Sequence, residues 1–220
     1  MEILKRMEIK AKKQLTVAAS LLAIGASMFW MYQQYTAPKP SDFLHQEIGK
    51  VMAEETSRLL NHEGRIQVVT IETPRAPELK IQLQSFEENL QKLGSVKIAK
   101  TEVLDTKNQP KYRTGGGLSG SRFLRIMKKG ERYDAIVSFV GAPELSDEEV
   151  AQLGEKRPKF IAECLSTDNL QKLLETNILN VAIVGRFQFP SPVTKLKTPR
   201  DTFNKRFQIL NSANAKALAE

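Results

Sequence analysis

Asp134-Ala-Ile-Val-Ser-Phe-Val140 is a near-continuous apolar run, bounded by Gly130 before it and Gly141-Ala-Pro143 after it. A strand covered on both faces reads this way, and strands covered on both faces belong to parallel sheets. The neighbouring segments agree. Before the run, Ser119–Lys129 places Phe123, Ile126 and Met127 on one helical face. After it, Ser146-Asp-Glu-Glu149 is a capping box, acidic in its first turn, and Gly154 ends that helix. Lys159–Cys164 is the next strand, Thr167 and Asp168 start a helix carrying Leu170, Leu173 and Leu174, and Asn180–Gly185 is a further strand.

Upstream, Arg65–Ile71 reads as the first strand, and Leu79–Leu93 as a helix with Phe86, Leu90 and Leu93 on one face, stopped by Gly94. Val96–Leu104 is a second strand, more alternating than the rest, which places it at an edge. Strands separated by helical segments define βαβ units, whose right-handed crossovers lay helices on both faces of the sheet. The expected fold is therefore α/β, a three-layer Rossmann-like or flavodoxin-like domain with a mainly parallel sheet of five to six strands. Phe203–Leu210 would supply the sixth, at an edge, and the Ala-rich tail 211–220 would fray.

The N-terminal part has a different composition. Lys5, Arg6, Lys10, Lys12 and Lys13 outweigh Glu2 and Glu8 over residues 1–14, a net of +3 out of the chain's +8. Leu15 to Tyr32 then carries no charge. As a helix it would rise ~27 Å, close to a ~30 Å hydrocarbon core. Trp30, Tyr32 and Tyr35 would sit in the far aromatic belt, and the lysines predict an inside N-terminus. One transmembrane helix over 15–35 is thus expected to precede the domain, with a cytoplasmic basic arm (1–14). A linker and connecting helix (36–63), a domain over 64–210 and the tail 211–220 follow. A cleaved signal peptide and a buried helix are the competing readings. The leading placement is the inner (plasma) membrane, single-pass, with a periplasmic or otherwise extracytoplasmic C-terminal domain.

One cysteine and two histidines exclude a disulfide framework, multi-Cys metal or iron–sulfur sites and a His-rich centre. There is no HExxH, GxSxG or CxxCH, so neither enzyme activity, nor a metal, nor a cofactor is expected. His45 reads as a boundary residue and Cys164 as a buried, inert thiol. Glu72 and Glu163 sit near strand ends without paired-carboxylate spacing.

Ligands of open parallel sheets bind outside the carboxyl ends of the strands. That rule selects the loops Glu72–Pro77, Asp105–Leu118, Gly141–Leu145, Leu165–Ser166 and Arg186–Pro192. The second is long, which reads first as a mobile or partner-docking loop; as the alternative, Gly115, Gly116, Gly117, Ser119, Gly120, Ser121 and Arg122 bring glycine-rich backbone to a helix start, which suits an anion. The GxGxxG match is formal only, since it follows a second strand after a polar loop, and a Walker A loop would need Gly-Lys-Ser/Thr. Arg186, ending a strand, could meet an acid. Basic residues are otherwise dispersed and lack base-stacking companions, so nucleic acid is not an expected partner.

Gly64–Ile71, Tyr133–Ser138 and Asn180–Gly185 together resemble one lobe of periplasmic sugar-type binding proteins, over about residues 42–186. The resemblance implies a Rossmann-like lobe. The family clamps its ligand between two such lobes, and this chain has length for one. The leading functional expectation is a non-enzymatic, membrane-anchored accessory or scaffold subunit, whose partners are integral membrane protein subunits and the lipid bilayer. The alternative is a single-lobe binding module for a small anionic solute at the strand C-terminal edge.

Overall fold

A computed structural model describes residues 18–31, 40–72, 76–105, 117–165, 167, 169–186 and 198–215. The chain divides into two compact units, Met1–Pro40 and Ser41–Glu220.

In the first unit, residues 18–31 form helix α1, every residue of which is exposed, including Leu21, Leu22, Phe29 and Trp30. Fourteen residues of helix rise only about 21 Å. Among the described residues, no helix is long and apolar enough to cross a membrane. The expected span over 15–35 is thus helical in its middle, and its two ends lie outside the described residues, as does the basic arm.

The second unit begins with helix α2 (Pro40–Leu59), then β1 (Glu63–Ile71), α3 (Pro77–Leu93), β2 (Ser95–Leu104) and β3 (Leu118–Ser119). Helix α4 (Gly120–Gly130), β4 (Ala135–Ser138), β5 (Pro143–Glu144), α5 (Asp147–Ala151) and β6 (Lys159–Cys164) follow. The chain closes with α6 (Leu170–Glu175), β7 (Val181–Gly185), α7 (Pro199–Arg206) and β8 (Phe207–Leu210). The main sheet runs β2-β1-β4-β6-β7-β8, all parallel except β8, which pairs antiparallel with β7. The α/β architecture and the edge position of the second strand are as expected.

The sheet separates two apolar layers. On one side α2, α3 and α7 contribute Ile48, Met52, Phe86 and Phe203 against Ile66, Val68, Ile161 and Ile183. On the other, α4 and α6 contribute Phe123, Ile126, Leu173 and Leu174 against Val69, Ile136, Phe160 and Val184. Phe123 meets Phe160 edge to face, with ring centroids 5.0 Å apart.

Helix α2 belongs to this core. Its Leu44, Ile48, Val51, Met52 and Ala53 are buried. Gly49 lets α2 press against α3, because a Cβ there would run into the Gln82 carbonyl. Glu47 and Glu54 of α2 pair with Arg200 of α7.

One expectation needs correction in its extent. Phe203–Leu210 is not all strand: residues up to Arg206 are helical, and only Phe207–Leu210 joins the sheet. The cause is local. Thr198 and Asp201 form a capping box with Pro199 in the first turn, which starts a helix the apolar count alone does not reveal. The tail is ordered at least as far as Ala215, which is buried.

Candidate functional site

Strand order reverses direction between β1 and β4, so the chain's crossovers diverge there and leave a crevice outside the strands' carboxyl ends. The turn after β4 is tightly held. The buried Ser138 hydroxyl donates to the Gly141 carbonyl at 2.8 Å and accepts from the Val140 N–H at 3.3 Å, while the Phe139 N–H donates to the Val69 carbonyl at 2.9 Å. Gly141 supplies the positive φ, 97°, that the turn requires.

That turn carries β5, and β5 pairs in parallel with β3. The Leu118 N–H also donates to the Ala142 carbonyl at 3.3 Å. This two-stranded sheet, which periodicity did not reveal, pins the end of the long loop after β2 to the turn after β4. It places Gly117, Ser119, Gly120, Ser121 and Arg122 beside the turn after β4. Gly115 and Gly116 lie outside the described residues.

Within this group the chemistry is mixed. Gly120 backs onto the Glu149 carboxylate, into which a Cβ would run. The same carboxylate accepts from the Ser146 N–H at 3.0 Å, as the returning half of the expected capping box. A negative charge therefore already stands at the first turn of α4. Ser121 is exposed and Arg122 half-buried, and among the described residues Arg122 Nη1 is buried without a hydrogen-bond partner. Arg186 points elsewhere. Its Nε donates to the Asn204 and Phe207 carbonyls at 3.1 and 3.0 Å, tying the end of β7 to the junction of α7 and β8.

A second cluster, on the α3 side of the sheet, joins residues far apart in sequence. Gln82 Nε2 donates to Glu163 Oε1 at 3.0 Å and lies 3.3 Å from His45 Nδ1. Gln82 is 4% exposed. Burial pushes the Glu163 carboxyl up to about 7, against the Gln82 hydrogen bond, which lowers it, and with the Glu78 charge, which raises it further. The neighbouring Cys164 thiol is buried and pushed up to about 12 by desolvation. It stays a thiol at neutral pH and is no nucleophile. His62 is at the other end of the strands, bonded to Ser57 and Leu93.

Sequence reasoning noted His45 and Glu163 singly and missed Gln82. The available signal was Gln82's place on the Leu79–Phe86 stripe of α3, where a polar residue on a buried face needs a partner. Among the described residues no group of His, Cys, Asp and Glu could hold a metal ion.

No family model matches the chain, and no curated protein matches it. Solved structures do match. A sugar-binding protein of a sugar ABC transporter from Bacillus halodurans is 11% identical with a TM-score of 0.52, over 79% of this chain and 64% of that one. An arabinose-binding protein from Geobacillus stearothermophilus is 14% identical with a TM-score of 0.51, over 79% and 62%. An ABC transporter solute-binding protein from Agrobacterium vitis, bound with alpha-D-tagatopyranose, is 11% identical with a TM-score of 0.51, over 80% and 59%. The chain thus spans less than two thirds of the length of each. At these identities the likeness is one of fold, and at that level the resemblance to periplasmic sugar-type binding proteins holds.

Proposed function

We propose that the domain is a non-enzymatic, extracytoplasmic binding module that takes a small neutral, hydroxyl-rich solute of the sugar class at the crevice between β1 and β4. The observation that carries this reading is Arg122 Nη1, a buried donor on the first turn of α4 with no partner among the described residues. Buried polar groups are nearly always hydrogen-bonded, and a bound solute oxygen would satisfy this one. Ser119, Ser121 and the Gly117–Gly120 backbone would complete the bank. The fold likeness to sugar-binding proteins supports the same class. The Glu149 carboxylate beside Gly120 favours a neutral solute over an anion.

Titration calorimetry of the full chain against aldopentoses, aldohexoses and inorganic phosphate tests this. The expected result is saturable binding of at least one sugar, weakened tenfold or more by Arg122→Ala, with no phosphate binding. Binding of phosphate alone, or of neither, overturns it.

A second reading, tethering to a membrane, rests on α1. Its Leu21, Leu22, Ile24, Met28, Phe29, Trp30 and Met31 are all at least half exposed, and contiguous apolar exposure on this scale marks a surface that is covered in use. The reading places the N-terminal segment in the bilayer or against integral membrane subunits, in the manner of an accessory protein. Full-length protein that stays in the pellet after alkaline carbonate extraction supports it; release into the supernatant overturns it.

A further inference from the structure

Strand β2 forms one edge of the main sheet, and among the described residues nothing pairs with its outer side. At ten residues it is the longest of the six strands, and an edge of that length offers a row of backbone N–H and C=O groups to another strand. Its two halves differ. The register against β1 shifts at Ile66/Gln67, where Ala99 is the extra residue, and a bulge of this kind blunts the half that precedes it. From Lys100 to Leu104 the ladder is regular. Thr101 and Val103 are exposed there, Val103 at 55%, so no described element covers that side of the stretch. Lys100 and Glu102 alternate with them on the other face. The Lys100 ammonium donates to Glu102 Oε2 at 3.1 Å, and the Gln67 amide donates to the same oxygen at 2.8 Å. Both charges are partly open, with side chains 37% and 19% exposed.

We propose that β2 is a dimerisation edge, at which a second copy of this chain adds its own β2 antiparallel and the two sheets become one. Charge selects both the occupant and the register. A two-fold axis normal to the sheet leaves every residue on its own face, so it must pass beside one residue of each strand. Centred on Lys100 or on Glu102, the axis sets like charges opposite each other. Centred on Ala99, it meets the bulge. Centred on Thr101, it sets Lys100 opposite Glu102 of the second copy and, by symmetry, Glu102 opposite Lys100. Thr101 then faces Thr101, and the exposed Val103 faces Ala99. Opposite charges and threonine pairs directly across an antiparallel ladder are favourable, and like charges are not. A carboxylate has room for more than two donors and an ammonium carries three hydrogens, so the contacts within each chain survive and each lysine stands between two glutamates. This edge is independent of the solute reading, which concerns β1 and β4, and of tethering, which concerns α1.

Sedimentation equilibrium of the full chain, in a mild detergent that accommodates the N-terminal segment, reads the association directly. The wild type is expected to be a reversible dimer. Lys100→Glu sets a carboxylate against Glu102 of the second copy, and Glu102→Lys sets an ammonium against Lys100. Each variant alone should therefore dimerise about tenfold more weakly, or worse. In an equimolar mixture the two variants complement each other, because position 100 of one chain then faces the opposite charge at position 102 of the other. The mixed dimer should recover the wild-type affinity. Repulsion within one chain cannot produce that recovery, nor can a dimer in any other register. A monomeric wild type overturns the proposal, as does a dimer that both variants leave unchanged. Two weakened variants that stay weak when mixed overturn it as well. Where a single variant does not fold, Thr101→Glu replaces an exposed side chain at the axis. It should weaken the dimer to a similar degree, and an unchanged dimer there overturns the proposal.

Discussion

The two faces of the sheet handle a glutamate in opposite ways. On the α4 side, Glu149 is spent locally: it closes its own helix's capping box and stands against the first turn of α4, where a helix N-terminus welcomes negative charge. On the α3 side, Glu163 has one amide and a nearby acid, Glu78, and its carboxyl resists ionisation until about pH 7. The difference shows that the packing around a glutamate, on helix α5 in one case and on strand β6 in the other, decides what its carboxyl does.

The largest predicted effect breaks the α3 side outright. Gly49→Leu puts a side chain into the Gln82 backbone, which cannot give way as a flexible side chain can. It should cost ~3 kcal/mol, at the upper end of the overpacking range, as read by urea unfolding.

Next, Glu163→Gln should change how stability depends on pH. Below pH 4.5, the carboxyl's ordinary value, it is protonated in both folded and unfolded chains, so variant and wild type should match. Between 4.5 and about 7 the unfolded chain ionises while the folded one keeps its proton, so the wild type loses stability as pH rises. By pH 8 the variant should be the more stable by roughly 2–3 kcal/mol. Equal pH profiles of urea midpoints would show that Glu163 ionises freely. The smallest effect sharpens the α4 side: Glu149→Ala removes one half of the capping box and should cost about 1 kcal/mol, as read by urea unfolding.

Much of the framework was legible in the sequence because its signals are local. Asp134–Val140 reads as a doubly covered strand, and β4 lies within it. Ser146 and Glu149 announced their helix by capping chemistry, and that box is present in full. Where a signal was local but overlooked, as at Thr198-Pro-Arg-Asp201, the reading of Phe203–Leu210 went too far toward strand.

The candidate site was legible only in part, and the second cluster not at all. Gly117–Arg122 advertise themselves by glycine content, but whether they face the crevice depends on β3 pairing with β5, a contact between two-residue strands about 25 positions apart. His45, Gln82 and Glu163 carry no motif at all, since 37 and 81 residues separate Gln82 from its two partners.

By itself, the sequence determined the alternation of strand and helix, the parallel character of the sheet and the distinct composition of the N-terminal segment. Periodicity, capping residues and runs of like chemistry act over a few positions, and the chain expresses them wherever it folds. Only the tertiary structure decided that α2 is core, that Arg186 is occupied by backbone carbonyls, and that a glutamate, a glutamine and a histidine share one hydrogen-bonded cluster. Those outcomes depend on close packing and on the removal of water, which no short window of sequence contains.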